Sequence, residues 1–337
     1  MYAAIECREF GPIDDLAMVE RESPPLQPRQ VRLAVSAAGV NFVDGLLVEG
    51  RYQIKPPLPY VPGMEVVGRI VEVGDAVEAP VSIGDRVFAN LGFGGYATEA
   101  VAWEHQIVAL PDSLTDGQAA TFMQSYLTGW YALRVRGGVA AGDTLLVLGA
   151  GSGVGLAAVD LGAALGLRVI AAASSEEKRA LAMSKGALAT IDTTALDAGG
   201  VKDAAKAFAA TFEDRAERGG VDHLYDPVGG ELGEVALRAL GEDGQYLVIG
   251  FVAGIPRLAA NQVLLRNRRI TGVDWGAWAG RHPAENQAML AEVIDLIGQG
   301  AVDPVEPTTY PLGDAALALR DLANRQVAGT VALTPPA

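Results

Sequence analysis

Apolar and polar positions change their period about a third of the way along the chain. Before residue 115 the apolar residues come in short runs broken by glycine and proline. Val31-Arg32-Leu33-Ala34-Val35-Ser36-Ala37 and Val66-Val67-Gly68-Arg69-Ile70-Val71-Glu72-Val73-Gly74 read as strands, and Gly84-Asp85-Arg86-Val87-Phe88 as a turn feeding another. Between them, Lys55-Pro56-Pro57-Leu58-Pro59-Tyr60-Val61-Pro62-Gly63 cannot be helical, because proline lacks the amide donor and restricts its predecessor. An all-β, barrel-like domain is expected over residues 1–120.

From Thr115-Asp116-Gly117-Gln118-Ala119-Ala120 onward, a helix start, the pattern alternates between two kinds of segment. Asp143 to Leu148, Arg168 to Ala173, Val221 to Tyr225 and Gln245 to Ile249 are short apolar runs of buried-strand type. Gly155 to Leu165 and Glu176 to Lys185 carry helical spacing. Strand and helix in alternation predict a parallel sheet covered on both faces, an α/β unit over residues 121–262. After Arg269 strand and helix mix again, and the tail, Gly329-Thr330-Val331-Ala332-Leu333, is expected to return to the first domain, giving 263–337 to it.

A length of 337 residues suits two domains, and half of the residues are apolar. No apolar run is long enough for a membrane span, and the first residues lack the basic and apolar segments of an export signal, so a cytoplasmic location is expected. The net charge of −15 disfavours nucleic acid and anionic membranes as partners, since either asks for a basic face. With one cysteine, Cys7, and three scattered histidines, neither a disulfide nor a histidine- or cysteine-built metal site is expected.

The sharpest motif is Leu145-Leu146-Val147-Leu148-Gly149-Ala150-Gly151-Ser152-Gly153-Val154-Gly155-Leu156. Small residues between a buried strand and an amphipathic helix let the backbone approach a pyrophosphate, on which the helix points its amides and positive dipole end. A glycine cluster alone is weak evidence, but the second strand at the expected distance supplies the context of a dinucleotide site. An NAD site usually ends that second strand with an acid; here it ends in Ala171-Ala172-Ala173-Ser174-Ser175-Glu176-Glu177-Lys178-Arg179. Ser174 or Ser175 could bond a 2′-phosphate and Lys178 neutralise it, so NADPH is favoured, although Lys178 and Arg179 as solvated helix charges, or Glu176 on a ribose hydroxyl, stay open. Glu177, three residues after Ser174, fits a capping box.

Further segments stand out along the chain: Gly39-Val40-Asn41-Phe42-Val43-Asp44, Gly50-Arg51-Tyr52, Leu58-Pro59-Tyr60-Val61-Pro62-Gly63-Met64-Glu65, Gly84-Asp85-Arg86-Val87, Gly94-Gly95-Tyr96-Ala97, Thr128-Gly129-Trp130 and Asp226-Pro227-Val228-Gly229-Gly230. In order, and along almost the whole chain, they resemble the zinc-free quinone oxidoreductase (ζ-crystallin-like) branch of the medium-chain dehydrogenases/reductases. The resemblance implies a GroES-like β-barrel catalytic domain plus a Rossmann doubly wound domain. Zinc-dependent relatives carry a cysteine ligand where Asn41 stands and a histidine where Met64 stands, so no metal is implied, and Glu65 is expected as a hydrogen-bonded structural residue. The family also implies NADP(H) contacts at Asn41, Thr128, Ala150, Gly151, Ser152, Gly153, Val154, Gly155, Lys178, Gly250, Phe251 and Arg325, joining Ser174 from the strand-end argument. Relatives often place a tyrosine where this chain has Thr193. Trp275 and Trp278 could line a flat substrate pocket or equally belong to core or interface.

Without a Lewis acid, an unactivated carbonyl is a hard hydride acceptor. A quinone or conjugated enone asks less, because its charge delocalises and hydrogen-bond donors suffice for the oxygen. Asn41 and Tyr52 are the polar candidates for catalysis, although Tyr52 could simply pack in its proline-rich surroundings. The expected function is an NADPH-dependent quinone or enone oxidoreductase. An enoyl-thioester (acyl-CoA) reductase and a low-activity NADPH-binding structural or sensor protein are the alternatives. Dimers in the family join through the edge of the Rossmann sheet, here about residues 258–273, so a homodimer is expected.

Overall fold

The structure, a computed structural model, describes residues 1–214 and 216–336. It divides into two compact units, Met1–Met123 with Val305–Ala337, and Gln124–Pro304.

The first unit is organised by one long strand, Gln30–Val40. Along one side it pairs antiparallel with Glu65–Val73, which is followed outward by Arg86–Asn90 and Ile107–Ala109. Its other pairings are divided: Glu99–Trp103 takes Gln30 to Ala34, and Val331–Thr334, from the far end of the chain, takes Ala38 to Val40. Thr308–Pro311 then adds parallel to Val331–Thr334. Register shifts between Arg32 and Leu33 and between Val35 and Ala37 mark bulges, which bend a strand and raise its twist. Alternation puts Val31, Leu33 and Val35 into the core. Arg32, on the opposite parity, is buried as well. Its charge is paired: it donates to Glu72 at 2.7 Å, to Glu99 at 2.6 Å and to the Pro24 carbonyl at 2.7 Å. The unit is not all-β as expected, because Asn41 starts a short helix, Phe42–Val48.

The second unit contains a sheet of six parallel strands. In chain order they are β1 (Thr144–Leu148), β2 (Arg168–Ala173), β3 (Ala189–Asp192), β4 (Val221–Asp226), β5 (Leu240–Val248) and β6 (Arg269–Gly272). Their spatial order is β3-β2-β1-β4-β5-β6, a doubly wound sheet whose order reverses between β1 and β4. Every residue of β1 and β4 is buried, as strands covered on both faces require. Four helices of this unit are α1 (Gly153–Ala164), α2 (Glu176–Ser184), α3 (Ala198–Ala209) and α4 (Gly230–Ala236). Leu146, Leu148, Ile170, Ala172, Leu224 and Tyr246 form one core cluster with Val201, Ala205 and Ala209 of α3 and Ala236 of α4.

The expected boundary at residue 263 needs correction. Residues 263–304 belong to the second unit: β6 extends its sheet beside β5, and only the chain from Val305 returns to the first unit. The strand is hard to see in sequence because its four residues, Arg269-Ile270-Thr271-Gly272, are all exposed or half-buried and carry one apolar side chain. Trp275 is core, its indole N–H donating to Asn286 at 2.9 Å, whereas Trp278 packs between Tyr131 and His282. Among the described residues no helix is long and apolar enough to cross a membrane.

Candidate functional site

The turn from β1 into α1 is built for a backbone that approaches closely. Gly149 has φ +59°, a conformation that side chains resist. A Cβ on Gly155 would fall 2.3 Å from the Gly149 carbonyl oxygen, so only glycine lets the helix start this near the strand end. Ser152 is the N-cap: its Oγ donates to the Gly149 carbonyl at 2.8 Å and accepts from the Gly155 amide at 3.2 Å. The expected phosphate contact at Ser152 thus belongs to a hydroxyl already spent on the cap. Its neighbours Gly153 and Val154 open α1, whose first-turn amides face outward from the helix end.

The second group of expected contacts lies at the close of β2. Here the structure moves the cap by one residue: Ser175, not Ser174, accepts the Lys178 amide at 3.3 Å and begins α2. Ser174 is exposed at the strand end, which leaves its hydroxyl as the one of the two not used in capping. Lys178 lies across the loop; a Cβ on Gly151 would meet its Cβ and Cγ at 2.5 Å. Arg179 is no solvated charge, since it pairs with Asp192 at 2.9 Å.

The loop after β4 faces the loop after β1 at the point where the strand order reverses. A Cβ on Gly149 would lie 2.9 Å from Val228 Cγ2. Asp226 holds this second loop. Its Oδ1 accepts the Val228 and Gly229 amides at 2.7 and 2.9 Å, and its Oδ2 accepts the Tyr246 hydroxyl. Burial pushes the Asp226 carboxyl up against those stabilising bonds. Gly250 backs onto the Pro227 carbonyl, and Phe251 is half-exposed beside it. Thr128 is half-buried on the helix Asp116–Trp130, where Gly129 lies against Leu161 of α1.

The remaining predicted groups lie in the first unit. Asn41 caps the helix Phe42–Val48; its amide Nδ2 donates to Glu65 Oε2 at 3.0 Å and its backbone N–H to Asp44 Oδ2 at 2.8 Å. Tyr96 donates to that same Asp44 oxygen at 2.9 Å. Asp44 is fully buried, and desolvation pushes its carboxyl up to about 7 despite the two donors. Tyr52 sits in a bend, half-buried against the apolar core of the unit. Arg325, with φ +61°, is exposed just after the helix Ala315–Ala323. Among the described residues no group of three or more His, Cys, Asp or Glu is placed to hold a metal.

Residues 27–112 match the alcohol dehydrogenase GroES-like domain family and residues 153–297 the zinc-binding dehydrogenase family. A quinone oxidoreductase-like protein 2 from Bos taurus is 33% identical over 335 residues, covering 99% of this chain and 92% of that one. The chain belongs to the quinone oxidoreductase family of medium-chain dehydrogenases/reductases. Within this family, the quinone oxidoreductase of Pseudomonas syringae pv. Tomato DC3000 has a similar structure at TM-score 0.86 and 30% identity, covering 99% of this chain and 100% of its own. The Escherichia coli quinone oxidoreductase complexed with NADPH matches at TM-score 0.86 and 26% identity, with 99% and 100% covered.

The structure therefore gathers the loop Ala150 to Gly155, Ser174, Lys178 and the Gly250-Phe251 turn in one unit, and Asn41, Tyr52 and Arg325 in the other. Two carboxyls outside the predicted set, Asp226 and Asp44, hold the neighbouring loop and helix start in place. A signal for Asp44 was present, since Asn41 and Asp44 have the N-cap to N3 spacing.

Proposed function

We propose that the protein is an NADPH-dependent quinone or enone oxidoreductase that transfers hydride without zinc. The observation that carries this is the β1–α1 turn at the switch point of the sheet, whose backbone at Gly149 and Gly155 leaves no room for side chains. The residues present fit a dinucleotide: a cradle that a Cβ would fill, a helix start for the pyrophosphate, and no acid at the end of β2. When bound, NADPH supplies the hydride.

The chain's own groups bind and orient. The first-turn amides of α1 face the pyrophosphate, and Ser174 with Lys178 takes the 2′-phosphate. Thr128, Gly250, Phe251 and Arg325 complete the nucleotide contacts, and the cap at Ser152 keeps the loop in shape. Asn41 uses one amide hydrogen on Glu65 and offers the other to the carbonyl oxygen of nicotinamide or substrate. Tyr52 directs its hydroxyl to the oxygen on which charge develops; one hydride and one proton then complete each reduction. With Asn41 and Met64 at the positions where zinc-dependent relatives carry thiolate and imidazole ligands, the donor set does not suit zinc.

The same reading includes a homodimer. β6 is an edge strand with Ile270 exposed, and Leu264 and Leu265 nearby are more exposed still, an apolar edge that a second copy would cover.

Steady-state oxidation of NADPH and NADH against quinones, enones and enoyl-CoAs tests the proposal. Turnover of quinones or enones with NADPH preferred is the expected result. Preference for enoyl-CoA would replace the substrate class. Cofactor binding with no turnover on any acceptor would make the protein a nucleotide-binding sensor instead.

A further inference from the structure

α2 starts at the strand end that receives an adenosine ribose, and its first turns carry two adjacent cations, Lys178 and Arg179. Their surroundings differ. The stem of Lys178 covers Gly151, which puts this side chain over the phosphate loop. Arg179 Nη1 lies 2.9 Å from Asp192 Oδ2 and 3.4 Å from the Ala173 carbonyl oxygen, the last of β2.

Asp192 closes β3, the neighbouring strand, and is held on its other oxygen too. Oδ1 accepts the Thr194 hydroxyl at 2.7 Å, the Thr194 amide at 2.8 Å and the Ala195 amide at 3.1 Å. These bonds, that of the Thr194 hydroxyl first, and the Arg179 guanidinium hold the Asp192 carboxyl below the usual carboxylate range. The Thr194 hydroxyl also reaches the Ser174 carbonyl at 3.4 Å, so Arg179, Asp192 and Ser174 form one patch at the ends of β2 and β3.

A nucleotide with a 2′-phosphate is favoured by a guanidinium near this strand end, because its planar fork matches phosphate oxygens. Such a group is present here, yet it is engaged by a carboxylate. We propose that Asp192 sets the nucleotide preference of this protein by holding Arg179 away from the 2′-phosphate. Lys178 and the Ser174 hydroxyl are then the groups left to distinguish NADPH from NADH, with the exposed Glu176 and Glu177 working against them. The resulting preference for NADPH is modest, about tenfold rather than hundreds. This inference rests on the reading of the second unit as an NADPH site.

The experiment compares kcat/KM for NADPH and NADH with one quinone acceptor in three proteins: unmodified, Asp192→Asn, and Asp192→Asn with Arg179→Ala. Asparagine keeps the Oδ1 acceptor for Thr194 and Ala195 while removing the charge. The single variant is expected to raise the NADPH/NADH ratio about tenfold, through a lower KM for NADPH. The double variant returns to within about twofold of the unmodified protein, since only a freed Arg179 carries the gain. An unchanged ratio in a folded single variant, or a gain that survives removal of Arg179, overturns the proposal. A measurement on the unmodified protein stands beside the variants: calorimetric affinities for 2′,5′-ADP and 5′-AMP should differ about tenfold. A difference of several hundredfold means that Arg179 already grips the phosphate, and the proposal falls. If the unmodified protein binds neither nucleotide, the NADPH reading itself fails and takes this inference with it.

Discussion

The side-chain amide of Asn41 donates to Glu65 Oε2 at 3.0 Å, tying the start of a short helix to the first residue of a neighbouring strand. Glu65 is completely buried, so the bond is made out of water and orients the amide firmly. One consequence is that the second Asn41 amide hydrogen has a defined direction rather than a choice of rotamers.

Replacing Asn41 by alanine and Tyr52 by phenylalanine together should lower kcat at least about tenfold, the equivalent of about 1.4 kcal/mol of transition-state stabilisation. Steady-state kinetics on a quinone acceptor measures it. A double variant with unchanged kcat would remove both groups from the chemistry.

Asp44 makes stability depend on pH. An unfolded carboxyl of this type ionises near 3.9, whereas burial pushes the folded one up to about 7. Below about pH 4 both states hold the proton and nothing is lost; from about pH 4 to about 7 the unfolded chain ionises while the folded one keeps its proton, so stability falls across that window and levels off above about 7. Asp44→Asn keeps an oxygen for the Asn41 amide and the Tyr96 hydroxyl but cannot ionise. Its unfolding free energy should gain on the parent between pH 4 and 8, by on the order of 4 kcal/mol. Denaturant titrations at both ends check this; a difference flat with pH would mean that Asp44 carries its charge throughout.

Two glycines of the loop between β1 and α1 should both resist a methyl group, through different neighbours. Gly155→Ala drives a Cβ into the Gly149 carbonyl, which is backbone and cannot step aside; a loss of about 2 kcal/mol or more is expected. Gly151→Ala drives its methyl into Cβ and Cγ of Lys178, the near end of that side chain, so the start of α2 must shift; a lower melting temperature and a higher KM for NADPH are expected together. Thermal melts and kinetics on the two variants check this, and an unchanged melt for either would show that its neighbour gives way.

The edge strand β6 offers the test of assembly. Ile270→Glu with Leu264→Glu should convert a dimer to a monomer in sedimentation, with little effect on the melt of the isolated subunit, because both side chains are exposed. A native protein that sediments as a monomer would refute the dimer outright.

Much of this was legible in the residues themselves. Buried runs such as Leu145 to Leu148 and Val169 to Ala173, separated by helical spacing, determined a parallel sheet, since the middle of a strand covered on both faces must be apolar. The glycines from Gly149 to Gly155 determined where a pyrophosphate could lie, because only they allow that turn. Local chemistry of this kind is written in neighbouring residues.

Other features depended on partners far away in the chain. That Arg269–Gly272 completes the second unit's sheet, and that Val331–Thr334 joins the first, was decided by pairing with strands distant in sequence. Whether Ser174 or Ser175 caps α2 was decided by backbone angles that two identical residue types cannot announce. Arg179 and Asp192, thirteen positions apart, meet only because β2 and β3 lie side by side. Asp44 titrates high only because the fold removes water from around it, a property that belongs to no residue until the core has closed.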